Sequence, residues 1–150
     1  MTALETITDT DLPERLRLAI TRLARRLRQQ SDVDASPTQL SALATIGRLG
    51  PMTLGDLAAA ERVQPPTITA AVGRLEAQGY VVRSPDAQDR RSVRVEVTSA
   101  GRKLLARNRS RKTAYLAKRL RALSPRERAT LTEATEILDR LLDPDPGSST

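Results

Sequence analysis

Residues 65–98 read PPTITAAVGRLEAQGYVVRSPDAQDRRSVRVEVT, and the fold turns on this stretch. Proline fixes φ and lacks an N–H, so the pair Pro65-Pro66 suits the first turn of a helix and little else. Ile68, Val72 and Leu75 then recur at spacings of four and three, which predicts one inward face of a helix over 66–78. Gly79 can take the left-handed conformation that ends such a helix. Residues 80–83 (YVVR) are β-favouring, and 84–91 form a polar turn segment containing Pro85, Asp86 and Asp89. In residues 92–97, Val93, Val95 and Val97 alternate onto one face. A helix followed at once by a β-hairpin with a basic tip is the prediction.

Upstream, residues 53–58 (TLGDLA) open a short helix through about Arg62, with Thr53 and Asp56 forming a capping box. The run VQPP at 63–66 breaks it, so two short helices are joined by a tight turn, the layout of a helix-turn-helix. Further back, Ser36, Pro37 and Gln39 make another start signal for a helix that Gly50-Pro51 ends, and Met52 can add a strand residue. A first helix over 12–30 carries Leu16, Ile20, Leu23 and Leu27 as one apolar stripe, with Asp11, Pro13 and Glu14 at its start. Downstream, Thr98 caps a long helix over 99–122 with Leu104, Leu105, Leu116, Leu120 and Leu123 as apolar positions. Ser124-Pro125 opens a last helix with Leu131, Ala134, Leu138 and Leu141 facing inward, and 144–150 reads as a disordered tail.

The composition narrows the chemistry. The 150 residues include no Cys, His, Phe or Trp, so a core of Leu, Ile, Val and Ala is expected, with a helical bias. Disulfides, thiol sensing and the usual zinc ligands are excluded. A Ser–His nucleophile pair cannot be built and no phosphate loop is present, so the chain is not expected to be an enzyme. Neither metal nor cofactor is expected. No apolar run approaches the length of a membrane span, and residues 1–11 do not read as a signal peptide, so a cytoplasmic protein is expected. Net charge is +7, and its location is informative. Twelve basic and four acidic residues lie from Arg62 to Lys112, against 13 and 14 in the rest of the chain. Such a concentrated surplus is the footprint of a nucleic-acid surface.

In this order of elements the chain resembles the MarR family of transcription regulators. The residues that carry the resemblance are TLGDLA (53–58), PPTIT (65–69), RLEAQGYV (74–81), DRR (89–91) and VTSAG (97–101). The resemblance covers about residues 12–143. It implies a mainly α fold with a small β-hairpin wing (α+β), a winged helix-turn-helix that dimerises through intertwined terminal helices. The implied parts are an N-terminal dimerisation helix (12–35), the winged lobe (36–98) and C-terminal dimerisation helices (99–143).

The family also implies roles. The helix from Pro65 to Gln78 would read the major groove, presenting Gln64, Pro65, Pro66, Thr67 and Thr69, with Arg74 reaching phosphate or pairing locally. Arg90 or Arg91 would enter the minor groove, and Asp89 would orient Arg91 by a salt bridge. Many members carry Ser where this chain has Gln64, and Arg or another polar residue where it has Ala70, which moves specificity toward the wing and DNA shape. The implied partners are double-stranded DNA, a second copy of the chain, and a small phenolic or aromatic ligand held among the first, second and fifth helices. The function implied is that of a repressor on an inverted-repeat operator, released by that ligand. The competing expectation is a basic helical adaptor for nucleic acid or protein without a ligand response. RNA readers of single strands usually display aromatic platforms, which this chain lacks.

Overall fold

The computed structural model describes residues 11–31 and 34–143, so the tail expected at 144–150 lies outside the described residues. The elements are α1 (Leu12–Arg28), α2 (Pro37–Leu49), β1 (Met52–Thr53), α3 (Leu54–Glu61), α4 (Pro65–Ala77), β2 (Val81–Pro85), β3 (Val93–Val97), α5 (Ser99–Arg121) and α6 (Pro125–Leu142). The antiparallel sheet has the order β1-β3-β2, with Met52 opposite Val95 and the hairpin running from Val81–Val97 to Pro85–Val93. The fold class read from the sequence is therefore present: helices with a small wing.

The chain divides into two compact units between Lys112 and Thr113, inside α5. In the first unit the core is formed by Leu43 and Ile46 of α2, Leu57 of α3, Ile68, Val72 and Leu75 of α4, Val95 of β3 and Leu104 of α5, all 0–1% exposed. Each such side chain contributes about 1.5–3 kcal/mol of burial free energy, so these eight dominate the lobe's stability. In the second unit, Arg119 lies over the ring of Tyr115 at 5.1 Å, and Arg128 donates to the Leu123 carbonyl at 2.9 Å.

Local signals explain most helix starts. Ser36 and Gln39 form a complete capping box, as do Ser124 and Glu127. The Glu127 carboxyl is held below its usual pKa by the Ser124 backbone N–H and then by the Ser124 hydroxyl. Thr53 gives only half a box: its hydroxyl accepts from the Asp56 N–H, and no return bond is made. Asp11 precedes α1 without a side-chain cap bond.

Two expectations need correction. The hairpin is longer than the YVVR segment, because Ser84 and Pro85 continue β2 opposite Arg94 and Val93. Val93 is 42% exposed, whereas Val95 and Val97 are buried, because the outer end of the wing has no core beneath it. The stripes of the terminal helices are not buried within the chain: α1 and α6 hold no buried residue, and Ile20, Leu23, Leu131 and Leu141 are 44–67% exposed.

Gly101 shows how tightly α5 meets the wing. A Cβ there would lie 2.3 Å from the Tyr80 carbonyl oxygen and 2.8 Å from Val97 Cγ1. The first obstacle is backbone and cannot swing aside. Gly101→Ala is expected to cost about 1–3 kcal/mol or more, read as a lower denaturation midpoint, through overpacking of this contact. An unchanged midpoint would show that α5 is not seated there.

Candidate nucleic-acid interface

The turn before α4 explains why glycine is missing from the helix-turn-helix. Arg62 itself takes the left-handed conformation (φ 52), and its N–H and that of Val63 satisfy the carbonyls of Ala59 and Ala58. A non-glycine residue there costs on the order of 1–2 kcal/mol, which the packed ends of α3 and α4 must offset. Glu61, the last residue of α3, accepts hydrogen bonds from Ser41 Oγ at 2.6 Å and from Thr45 Oγ1, so α3 is tied to α2.

α4 begins without a side-chain cap: Gln64 makes no such bond. None is needed, because Pro65 and Pro66 remove two of the amide donors a helix start would leave unpaired. The next two, of Thr67 and Ile68, both point to the Gln64 carbonyl. Pro65, Pro66, Thr67, Thr69, Ala70 and Arg74 are exposed on α4, while Ile68, Ala71, Val72 and Leu75 face the core. Thr69 spends its hydroxyl proton on the Pro65 carbonyl at 3.0 Å, leaving lone pairs and a methyl outward. Arg74 has no side-chain hydrogen bond or ion pair among the described residues, so the local-pairing expectation is not met.

The wing loop is built from two Asx turns. Asp86 Oδ1 accepts from the Gln88 N–H at 3.1 Å, and Asp89 Oδ1 from the Arg91 N–H at 3.0 Å. Asp89 Oδ2 also accepts from Ser92 Oγ at 3.3 Å. Asp89 thus holds Arg91 by its backbone, rather than by the side-chain salt bridge expected. Arg90 and Arg91 are exposed, and their side chains have no partner among the described residues.

Arg94 braces the base of the loop: its Nη1 donates to the Pro51 carbonyl at 3.0 Å, and its Nε lies 3.3 Å from Asp86 Oδ2. The Gln88 N–H, and then Arg94, hold the Asp86 carboxyl below the ordinary carboxylate range. A 2.6 Å ion pair from Arg83 to Glu76 ties β2 to α4. Thr98 joins three elements: its hydroxyl donates to the Gly79 carbonyl and accepts from the Gly101 N–H, and its N–H donates to the Tyr80 carbonyl.

The predicted site residues therefore fall into two groups, Gln64 to Arg74 on α4 and Asp89 to Arg91 on the wing. No hydrogen bond or ion pair joins the groups among the described residues. Sequence reasoning missed the supports, Glu61, Glu76, Arg83, Asp86 and Arg94. Apart from the Gln88 N–H that Asp86 holds two positions on, their partners lie seven to 43 positions away, beyond any local spacing rule.

Short helix, turn, second helix with an uncapped and exposed start, and a hairpin bearing two unpaired arginines together define a winged helix-turn-helix DNA-binding protein. Comparison with known proteins agrees. The MarR family model matches residues 35–93. An HTH-type transcriptional regulator of Mycobacterium tuberculosis is 39% identical over 139 residues, covering 92% of this chain and 97% of that protein. One from Mycobacterium leprae is 40% identical over 141 residues, with the same coverage. A Pseudomonas aeruginosa protein described as a transcriptional regulator superposes with a TM-score of 0.82 at 36% identity, covering 93% and 99% of the two chains. The MarR protein of E. coli shares the fold, with a TM-score of 0.74 at 24% identity over 88% and 96% of the chains. The chain belongs to the MarR family of DNA-binding transcription regulators. Among the described residues no helix is long and apolar enough to cross a membrane.

Proposed function

We propose that the chain is a cytoplasmic homodimeric repressor that binds an inverted-repeat operator and is released by a small-molecule ligand. The observation that carries the DNA contact is the wing: two exposed arginines, unpaired by any side chain among the described residues, at the tip of a hairpin whose base is braced. Gln64, Pro65, Pro66, Thr67, Thr69 and Arg74 contact DNA from α4. Arg90 and Arg91 do so from the wing, with Asp89 shaping the tip.

Dimerisation is supported by the half-exposed apolar faces of α1 and α6, since a lone amphipathic helix has to cover its stripe. The segments 12–35 and 99–143 supply that interface and 36–98 the DNA lobe. Ligand release is supported by a cavity of about 420 Å³ lined by the end of α1, α2 and the first half of α5.

Two-fold symmetry then sets the operator: an inverted repeat with half-sites about 10 bp, one helical turn, apart. Footprinting on the DNA flanking its own gene is expected to show two symmetric half-sites. A single short asymmetric footprint would contradict the dimeric reading.

A further inference from the structure

The cavity between the end of α1, α2 and the first half of α5 carries more chemistry than its location. Three cations line it, Arg28, Arg109 and Lys112, and no acidic residue does among the described residues. Their side chains make no hydrogen bond or ion pair among the described residues. Leu40, Ala44 and Leu105 give it an apolar wall. Two further lining residues hold buried polar atoms without a partner among the described residues, Ser31 Oγ and Asn108 Oδ1. Asn108 is only 6% exposed. A buried acceptor left unpaired is costly, and two at one cavity mark a place where something else completes the bonding. Ala44, Leu105 and Arg109 also wall a second cleft that adds Arg48 and Arg102, again without an acid. The local field is therefore strongly positive in a partly apolar, partly desolvated setting, where charge is worth more than in water.

We propose that this cavity binds a compact organic dianion that also carries a hydrogen-bond donor, such as a hydroxylated dicarboxylate or a phosphate monoester. Three cations without a side-chain partner among the described residues call for more than one negative charge, and the Asn108 oxygen calls for a donor. Among the described residues no aromatic ring lines the cavity, so nothing there selects the phenolic ligand that family resemblance implies. The volume of about 420 Å³ suits a small metabolite.

The proposal deepens the ligand-release reading and rests on it for its regulatory consequence. The route runs through Ser41, which lines the cavity and donates its hydroxyl proton to Glu61 at the end of α3. An anion in the cavity competes for that proton and loosens the tie between α2 and α3, and with it the placement of α4.

The test is calorimetry on the full chain with malate, glycerol phosphate, benzoate and sulfate at matched ionic strength, alongside operator binding by fluorescence anisotropy. Malate or glycerol phosphate is expected to bind one per chain, and the tighter of the two identifies the class of dianion. Benzoate and sulfate are expected to bind at least roughly tenfold more weakly. Arg109→Ala and Lys112→Ala, both away from the core, are each expected to weaken the dianion by about tenfold. Asn108→Leu is expected to do the same, its fold checked by circular dichroism. Ser41→Ala removes both a contact to the anion and the tie to Glu61, so it is expected to weaken the dianion and to lower operator binding already in its absence, leaving little further release when the dianion is added.

The proposal is overturned if benzoate binds best, if sulfate matches the organic dianions, or if no dianion binds at millimolar concentration. Dianion binding that ignores Arg109→Ala and Lys112→Ala overturns it too. Dianion binding without operator release removes the release reading and leaves the site. Operator release by benzoate alone removes the site chemistry and leaves the release reading.

Discussion

Ile20→Glu combined with Leu23→Glu is expected to give a folded monomer that binds its operator at least about a hundredfold more weakly than the parent chain. The size follows from valency. Two lobes held on one duplex make the second contact intramolecular, and losing that link removes roughly 10²–10⁴ in apparent affinity. The variant is expected to keep its lobe intact, because α1 has no buried residue and both positions are nearly half exposed in the single chain. Sedimentation at micromolar concentration and an unchanged helical signal are the checks. A variant that stays dimeric, or a monomer with parental affinity, would place the interface elsewhere.

The second large effect is expected at the wing. Arg90→Ala and Arg91→Ala together remove two cations that no side chain among the described residues pairs with. Each groove or phosphate contact is worth about 1–3 kcal/mol, so the double variant is expected to lose roughly thirtyfold to ten-thousandfold in operator affinity. The salt slope should become shallower by about one unit per lost phosphate contact. Melting should not change, since the tip is exposed. Asp89→Ala separates shape from charge. Removing a carboxylate raises net charge, so a purely electrostatic wing would bind more tightly. The geometry argues the reverse for the operator: the Asp89 oxygens fix the Arg91 N–H and the Ser92 hydroxyl, and the arginines lose their launch angle without them. Specific binding is expected to fall while binding to scrambled duplex holds or rises. Tighter operator binding by Asp89→Ala would refute that role.

What the sequence made legible was local. The Ser36 and Ser124 boxes, the left-handed Gly79 and the proline start of α4 each rest on one residue's own stereochemistry. They could be read without knowing what packs against them. The period of Ile68, Val72 and Leu75 located the buried face of α4 for the same reason. The rest depended on partners far along the chain. Nothing near Arg94 signals that it will reach Pro51 and Asp86, and nothing near Glu61 points to Ser41 and Thr45. The turn at Arg62 was obscure because a non-glycine residue there is unfavourable in isolation, and only the packed helices hold it. The stripes of α1 and α6 were legible as apolar faces, while period alone does not say what covers a face.

The two prolines at the start of α4 have a consequence for the thermodynamics of DNA recognition. A helix end normally frays, and a protein that docks one must first pay to order it. Pro65 and Pro66 restrict the unfolded chain and pre-set the first turn, so this end is ordered before DNA arrives. On the proposed docking of α4, association therefore costs little entropy at this element. The same stiffness removes adaptability. A fraying end can re-form around a mismatched base, whereas this one presents a single fixed outline of ring carbons and threonine methyls. On that docking a poor site is expected to be met by bending the DNA, so that rejection of wrong sequences is read as a deformation cost in the duplex.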